Sequence, residues 1–129
     1  MMRILLDSHA LFWFLDGDAR LSQAARDAIE APGTIVNVSA VTAFEVANKV
    51  RVGKWPAAEM MANGLLDIVV RFGFEPLPLS LEHARHAGML AVAHRDPFDR
   101  MLAAQAEIEA IPLVTADPVF AQFPIQILW

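Results

Sequence analysis

Cysteine is absent from the 129-residue chain, which excludes disulfides and thiolate-held metal ions and fits a cytoplasmic protein. Charged residues are scarce, 19% against about 25% in an average soluble domain. Basic residues are scarcer than acidic ones, and the formal net charge is −5. A molecule of that sign carries no overall electrostatic footprint for nucleic acid. A simple DNA- or RNA-binding module is therefore disfavoured, and a polyanionic ligand would need local cations. No apolar run reaches the ~18 residues that a membrane span requires. The run at residues 10–15 ends at Asp16, and the N-terminal run ends at Asp7, too early for a signal peptide. The glycine-rich dinucleotide and phosphate loops, the G-x-S-x-G elbow and the H-E-x-x-H zinc motif are all missing.

What the chain has in excess is apolar residues, 56% against about 45–50%. A domain of this length builds a real core. The excess is still hard to hide in a small body, and it predicts that a partner or a second copy covers part of the surface. Residues 3–7, 34–38, 112–115 and 125–128 read as short strands. Residues 74–79 are extended too, but Pro76 and Pro78 confine them to a sheet edge or a linker. Between the strands lie helices opened by Ser8, Ser22, Ser39, Pro56, Ser80 and Asp96. The Ser80 helix runs to about Ala93, and residues 118–122 form a helical turn. This order predicts one α/β domain over residues 1–129. Its centre is a parallel sheet of four to five strands, flanked by helices and joined by right-handed crossovers.

In such a sheet, ligands bind beyond the carboxyl ends of the strands. Asp7 ends the first strand, and Asp117 follows the strand that ends at Thr115. Glu45 lies nearly two turns into the helix that Ser39 opens. In the Asp96 helix, Asp96 takes the N-cap place, Pro97 the first helical position and Asp99 the third. That helix leads back to the start of the Thr115 strand, so its acidic mouth must reach the same sheet edge as Asp7. Asp7, Glu45, Asp99 and Asp117 can therefore converge although they are far apart in sequence. At separations of ~6 Å and an effective dielectric of ~20, each charged pair would repel by about 2.8 kcal/mol. A hard divalent cation relieves that repulsion, and oxygen ligands without thiolates favour Mg²⁺ or Mn²⁺. Such an ion bridges to phosphate oxygens and activates water for in-line attack.

Each acid also has an ordinary reading. Asp96 is a helix cap, Asp99 complements a helix dipole, Asp7 and Asp117 suit turns, and Glu45 is the i,i+4 partner of Lys49. His83 and His86 share a helix face without a third ligand and read as a solvated pair. His9 either orients Asp7 or has a packing or capping role. Lys49, Arg51 and Lys54 form a basic run that either solvates a helix end or steers phosphates. Phe12, Trp13 and Phe14 cover more than one face of the first helix, which leaves one aromatic for a partner.

Four blocks in order carry a family resemblance. The first is Ile4-Leu5-Leu6-Asp7-Ser8-His9 and the second Val38-Ser39-Ala40-Val41-Thr42-Ala43-Phe44-Glu45. The third is Arg95-Asp96-Pro97-Phe98-Asp99-Arg100-Met101-Leu102-Ala103-Ala104-Gln105-Ala106, and the last Leu113-Val114-Thr115-Ala116-Asp117-Pro118. Over nearly its whole length the chain resembles the PIN-domain ribonucleases, and among them the VapC-type toxins of bacterial toxin–antitoxin pairs. The resemblance implies an acid site of Asp7, Glu45, Asp99 and Asp117 that binds Mg²⁺ or Mn²⁺, with Ser39 and Thr115 as polar supports. It also implies endonucleolytic cleavage of RNA, homodimerisation, and inhibition by a small antitoxin lying over the groove near the active site. Two positions depart from the pattern. Ser8 stands where Thr is commoner in this subgroup. Val119 fills the place of a further acid found in some relatives, which leaves Asp96 as the other acid available for a second metal ion. Two readings compete with this one. A Mg²⁺-dependent phosphatase or phosphoacceptor domain needs a second acid directly after Asp7 or two residues on, where this chain has Ser8 and His9. A non-catalytic partner-binding domain has no use for the acids.

Overall fold

The computed structural model describes residues 2–129. Five strands form one sheet: β1 (Arg3–Leu6), β2 (Ile35–Ser39), β3 (Glu75–Leu77), β4 (Leu113–Val114) and β5 (Ile127–Leu128). Their order is β3-β2-β1-β4-β5 and every pair is parallel, as the sequence predicts for an α/β chain. The central strand β1 is apolar from Ile4 to Leu6 because both its faces are covered there. Ile4 and Leu6 join one core and Leu5 joins the other. The first core is closed by α1 (Ser8–Asp16), α2 (Gln23–Glu30), α3 (Ala40–Arg51) and α4 (Glu59–Arg71). The second is closed by α6 (Pro97–Glu109), with α5 (Leu81–Met89) packed along it. Buried Ala103, Ala104 and Ala106 add little bulk to the core-facing side of α6.

The chain steps outward from β1 to β2 to β3, with its helices on one face. It then returns through α5 and α6 on the other face to β4. The sheet therefore reverses its winding between β1 and β4, and a crevice forms beyond their carboxyl ends.

Several sequence expectations need correction. Asp7, not Ser8, caps α1: its Oδ1 accepts from the Ala10 amide at 2.7 Å, and Ser8 becomes the first helical residue. Helix α5 stops at Met89 rather than near Ala93, and residues 90–95 are irregular. The cause is distant in sequence. The Arg100 guanidinium donates to the carbonyls of Ala87, Leu90, Val92 and His94, which draws the chain out of the helix. The last two strands are shorter than predicted, two residues each. Residues 74–79 do supply an edge strand, with Pro76 opposite Val38 and the Asn37 side-chain amide donating to the Glu75 carbonyl. His83 is buried rather than solvated. It completes a capping box with Ser80, and its Nε2 lies 3.0 Å from a Glu109 oxygen, while His86 pairs with Glu107.

Candidate active site

A cleft of about 460 Å³ opens at the winding reversal, and Asp7, Glu45, Asp96, Asp99 and Asp117 all stand in its walls. Asp7 follows β1 directly. It is 8% exposed, and burial raises its pKa from 3.8 to about 6. Hydrogen bonds from the Thr115 side chain and the Ala10 amide oppose that rise, whereas the charges of Glu45 and Asp117 add to it. Glu45 is buried on α3. Its Oε1 accepts from the Ser8 hydroxyl at 2.6 Å and its Oε2 from Lys49 Nζ at 3.1 Å.

Asp99, on the first turn of α6, accepts from His94 Nε2 at 2.8 Å. Burial raises its pKa, the His94 bond lowers it, and the charges of Asp96 and Glu45 raise it. Asp96 spends one oxygen on the α6 N-terminus, accepting from the Phe98 and Asp99 amides at 2.9 and 3.1 Å. Asp117 caps the 3-10 turn Pro118–Gln122 through the Val119 amide at 3.0 Å. Its own amide donates to Thr115 Oγ1 at 3.0 Å. Thr115 thus touches two acids of the cleft. Ser39 is not a cleft wall. It caps α3 through the Val41 amide and donates to Gln105 on α6, tying together the helices that carry Glu45 and Asp99. Val119 is not a cleft wall either.

The acids are therefore not the uncompensated cluster that charge counting alone predicts. Each is turned toward a nearby partner, and burial favours the protonated form of Asp7. Among the described residues, no three acidic or histidine side chains form a ready-made cation cage. The donor set still fits a hard divalent cation. It consists of carboxylate oxygens, and the carboxyl of Asp7 is pushed up to about 6 beside two further acids, a cost that a cation relieves. Thr42, one turn before Glu45, adds a second sign. It is a cleft wall, 1% exposed, and its hydroxyl has no hydrogen-bond partner among the described residues. A buried hydroxyl in that position calls for a partner from the cleft.

Sequence reasoning missed Ser8, Thr42 and His94 as parts of this site. Thr42 was readable as the residue three before Glu45, hence on the same helix face. His94 was readable only as a titratable neighbour of the Asp96-Pro97 helix start. Of the basic run, Lys49 alone lines the cleft; Arg51 bonds Asn48. His9 also lines it, and partial desolvation of its ring, which lies against Trp13 and Trp55, lowers its pKa, with the charges of Lys49 and Arg20 acting the same way against Glu45 and Asp117.

The family model of the PIN domain matches residues 4–126. Several solved structures share the fold. VapBC2 from Rickettsia felis, bound to a DNA fragment of its promoter, is 18% identical with a TM-score of 0.71, covering 98% of this chain and 96% of that one. FitAcB from Neisseria gonorrhoeae is 18% identical with a TM-score of 0.66, covering 96% and 95%. VapBC-1 from nontypeable Haemophilus influenzae is 16% identical with a TM-score of 0.66, covering 98% of each chain. At these identities the likeness is one of fold. No curated protein matches the sequence significantly.

Proposed function

Because the chain belongs to the PIN-domain family, whose members are generally nucleases, we propose that it is a metal-dependent endoribonuclease and the toxin of a toxin–antitoxin pair. The observation that carries this reading is the meeting of Asp7, Glu45, Asp99 and Asp117, from four separate segments, in one cleft. In this reading they hold Mg²⁺ or Mn²⁺, while Asp96 serves the α6 N-terminus. The ion supplies Lewis-acid activation of water and offsets charge developing on the phosphate. The chain's own groups do the rest. Asp7 gives up its proton above about pH 6. Lys49, a cleft wall that bonds Glu45, is the cation placed to meet phosphate oxygens, while His94 holds Asp99 in place. The Thr42 hydroxyl finds its missing partner in water or phosphate. Ser39 and Thr115 keep the acids in place through Gln105 and the Asp117 turn.

The phosphatase alternative finds less support, since no second acid follows Asp7 and the Ser8 hydroxyl is committed to Glu45. The VapBC and FitAB complexes among the structural neighbours support a small antitoxin as partner. Homodimerisation and a cytoplasmic location complete the proposal. No helix among the described residues is long and apolar enough to cross a membrane. The test is cleavage of a single-stranded RNA in Mg²⁺, in Mn²⁺ and in excess EDTA. We expect cuts with either metal and none in the chelator. Undiminished cleavage in EDTA refutes the mechanism.

A further inference from the structure

All three tryptophans of the chain gather beside the carboxylate cleft. Trp55 stacks on the His9 imidazole, with centroids 4.5 Å apart and planes 22° from parallel. Trp13 leans on the same imidazole at 5.6 Å, and Trp129 on Trp13 at 5.8 Å. His9 and Trp13 are themselves cleft walls, and His9 is exposed. They form an aromatic ledge continuous with the acids.

Charge makes that ledge significant. Cations are few beside the cleft: among the described residues Lys49 is the one lysine or arginine in its walls, while Arg20 is paired with Asp18 at 2.7 Å and lies 5.1 Å over the Trp13 ring. With a net charge of −5, backbone phosphates can contribute little attraction. Beyond Lys49 and a cation held by the acids, an RNA held here needs affinity that is not ionic, and the aromatic ledge is what the cleft offers. We propose that the His9–Trp13 ledge is a nucleobase subsite, on which an unpaired base next to the scissile phosphate stacks. The inference rests on the nuclease reading above. A paired A-form helix keeps its base faces stacked inside and cannot offer one to the ledge. Stacking on an aromatic side chain changes affinity by roughly 5–150-fold per base and tolerates any sequence.

Tryptophan emission reports on this ledge directly, because the chain has no tryptophan elsewhere. The Asp99→Asn chain is titrated in Mg²⁺ with a single-stranded oligoribonucleotide, with the same strand annealed to its complement, and with a strand of equal length lacking bases. Saturable quenching is expected with the first. Affinity for the other two is expected to be at least ~5-fold weaker. His9→Ala, at an exposed position, lowers affinity by a similar factor, and His9→Phe restores it; Trp13→Phe retains most of it. Between 50 and 200 mM salt the affinity falls by less than ~10-fold, far from the ~10³–10⁵ of a binder making 6–10 phosphate contacts. Equal affinity for the base-free strand, or no effect of His9→Ala, overturns the subsite. So does emission that no strand changes, which would leave the ledge to protein packing. Cleavage by the unmodified chain is assayed separately. Base-dependent binding without any cleavage upholds the subsite and removes the nuclease reading. Cleavage with the same KM in His9→Ala does the reverse.

Discussion

Asp7 performs two tasks that conflict. Its carboxylate caps α1, yet burial beside Glu45 and Asp117 raises its pKa from 3.8 to about 6. Such a group keeps its proton in the folded chain at pH values where the unfolded chain has lost it. The protonated form therefore adds stability that is fully present below about pH 4 and is lost as pH rises through about 6. At neutral pH the buried charge costs on the order of 3 kcal/mol, at 1.36 kcal/mol per pKa unit. Asn caps a helix as well as Asp does and carries no charge. Asp7→Asn is thus expected to melt above the unmodified chain at pH 7.5 in EDTA, with the gain shrinking toward pH 4, while cleavage falls by more than ~10–100-fold. A lower melting temperature at pH 7.5 would contradict this account of Asp7. The same sign governs metal. Mg²⁺ must displace the proton below about pH 6, so its stabilising effect on the melt should be clearly larger at pH 7.5 than at pH 5.5. Equal shifts at both values would mean that Asp7 does not titrate against the ion.

At the scale of the element, the mouth of α6 shows what a sequence can and cannot disclose. The start of the helix was legible because Asp96 and Pro97 are local signals, and the structure uses Asp96 as the predicted cap. The parallel sheet and the meeting of the acids were legible too, since alternating strands and helices bring strand ends to one edge, but the strand order was not. Partners drawn from afar were not. Ser8 looked like a cap until Glu45, 37 positions away, claimed its hydroxyl. Helix α5 looked four residues longer because nothing near Met89 announces that Arg100 will take the carbonyls beyond it. Two predictions follow from this architecture. Asp96→Asn keeps a competent cap and should retain most cleavage at a cost of a few tenths to ~1 kcal/mol. Asp99→Asn should lose activity by more than ~10–100-fold with its fold intact. Paired melts and cleavage rates decide; an Asp96→Asn chain as inactive as Asp99→Asn at unchanged stability makes Asp96 the ligand. Arg100→Lys replaces a fork of donors by a point charge and leaves carbonyls unpaired. It should cost about 1–3 kcal/mol in urea unfolding and speed amide exchange across residues 90–96. Unchanged exchange there would show that the segment holds its shape without the clamp.

For the molecule as a whole, the surplus of apolar residues reappears at the surface. On α4, Met60, Leu66 and Val70 are 88%, 84% and 81% exposed, and Leu66 and Val70 lie four residues apart on one helical face. Burying one such side chain gains about 1.5–3 kcal/mol. Two residues from each of two copies gain roughly 6–12 kcal/mol before an association cost of about 4–15 kcal/mol, so a micromolar dimer, at about 8 kcal/mol net, needs further contacts around this patch. With a net charge of only −5, repulsion between copies is weak. The isolated chain is expected to sediment as a dimer at micromolar concentration. Placing Glu at both Leu66 and Val70 puts like charges where the copies meet and should yield a folded monomer whose melting temperature falls only by the lost association and no longer depends on concentration, because neither side chain belongs to the core. A dimer that survives both charges moves the contact to another face. A clean monomer of the unmodified chain removes self-association, and the exposed apolar surface of α4 is then left for a different partner to cover.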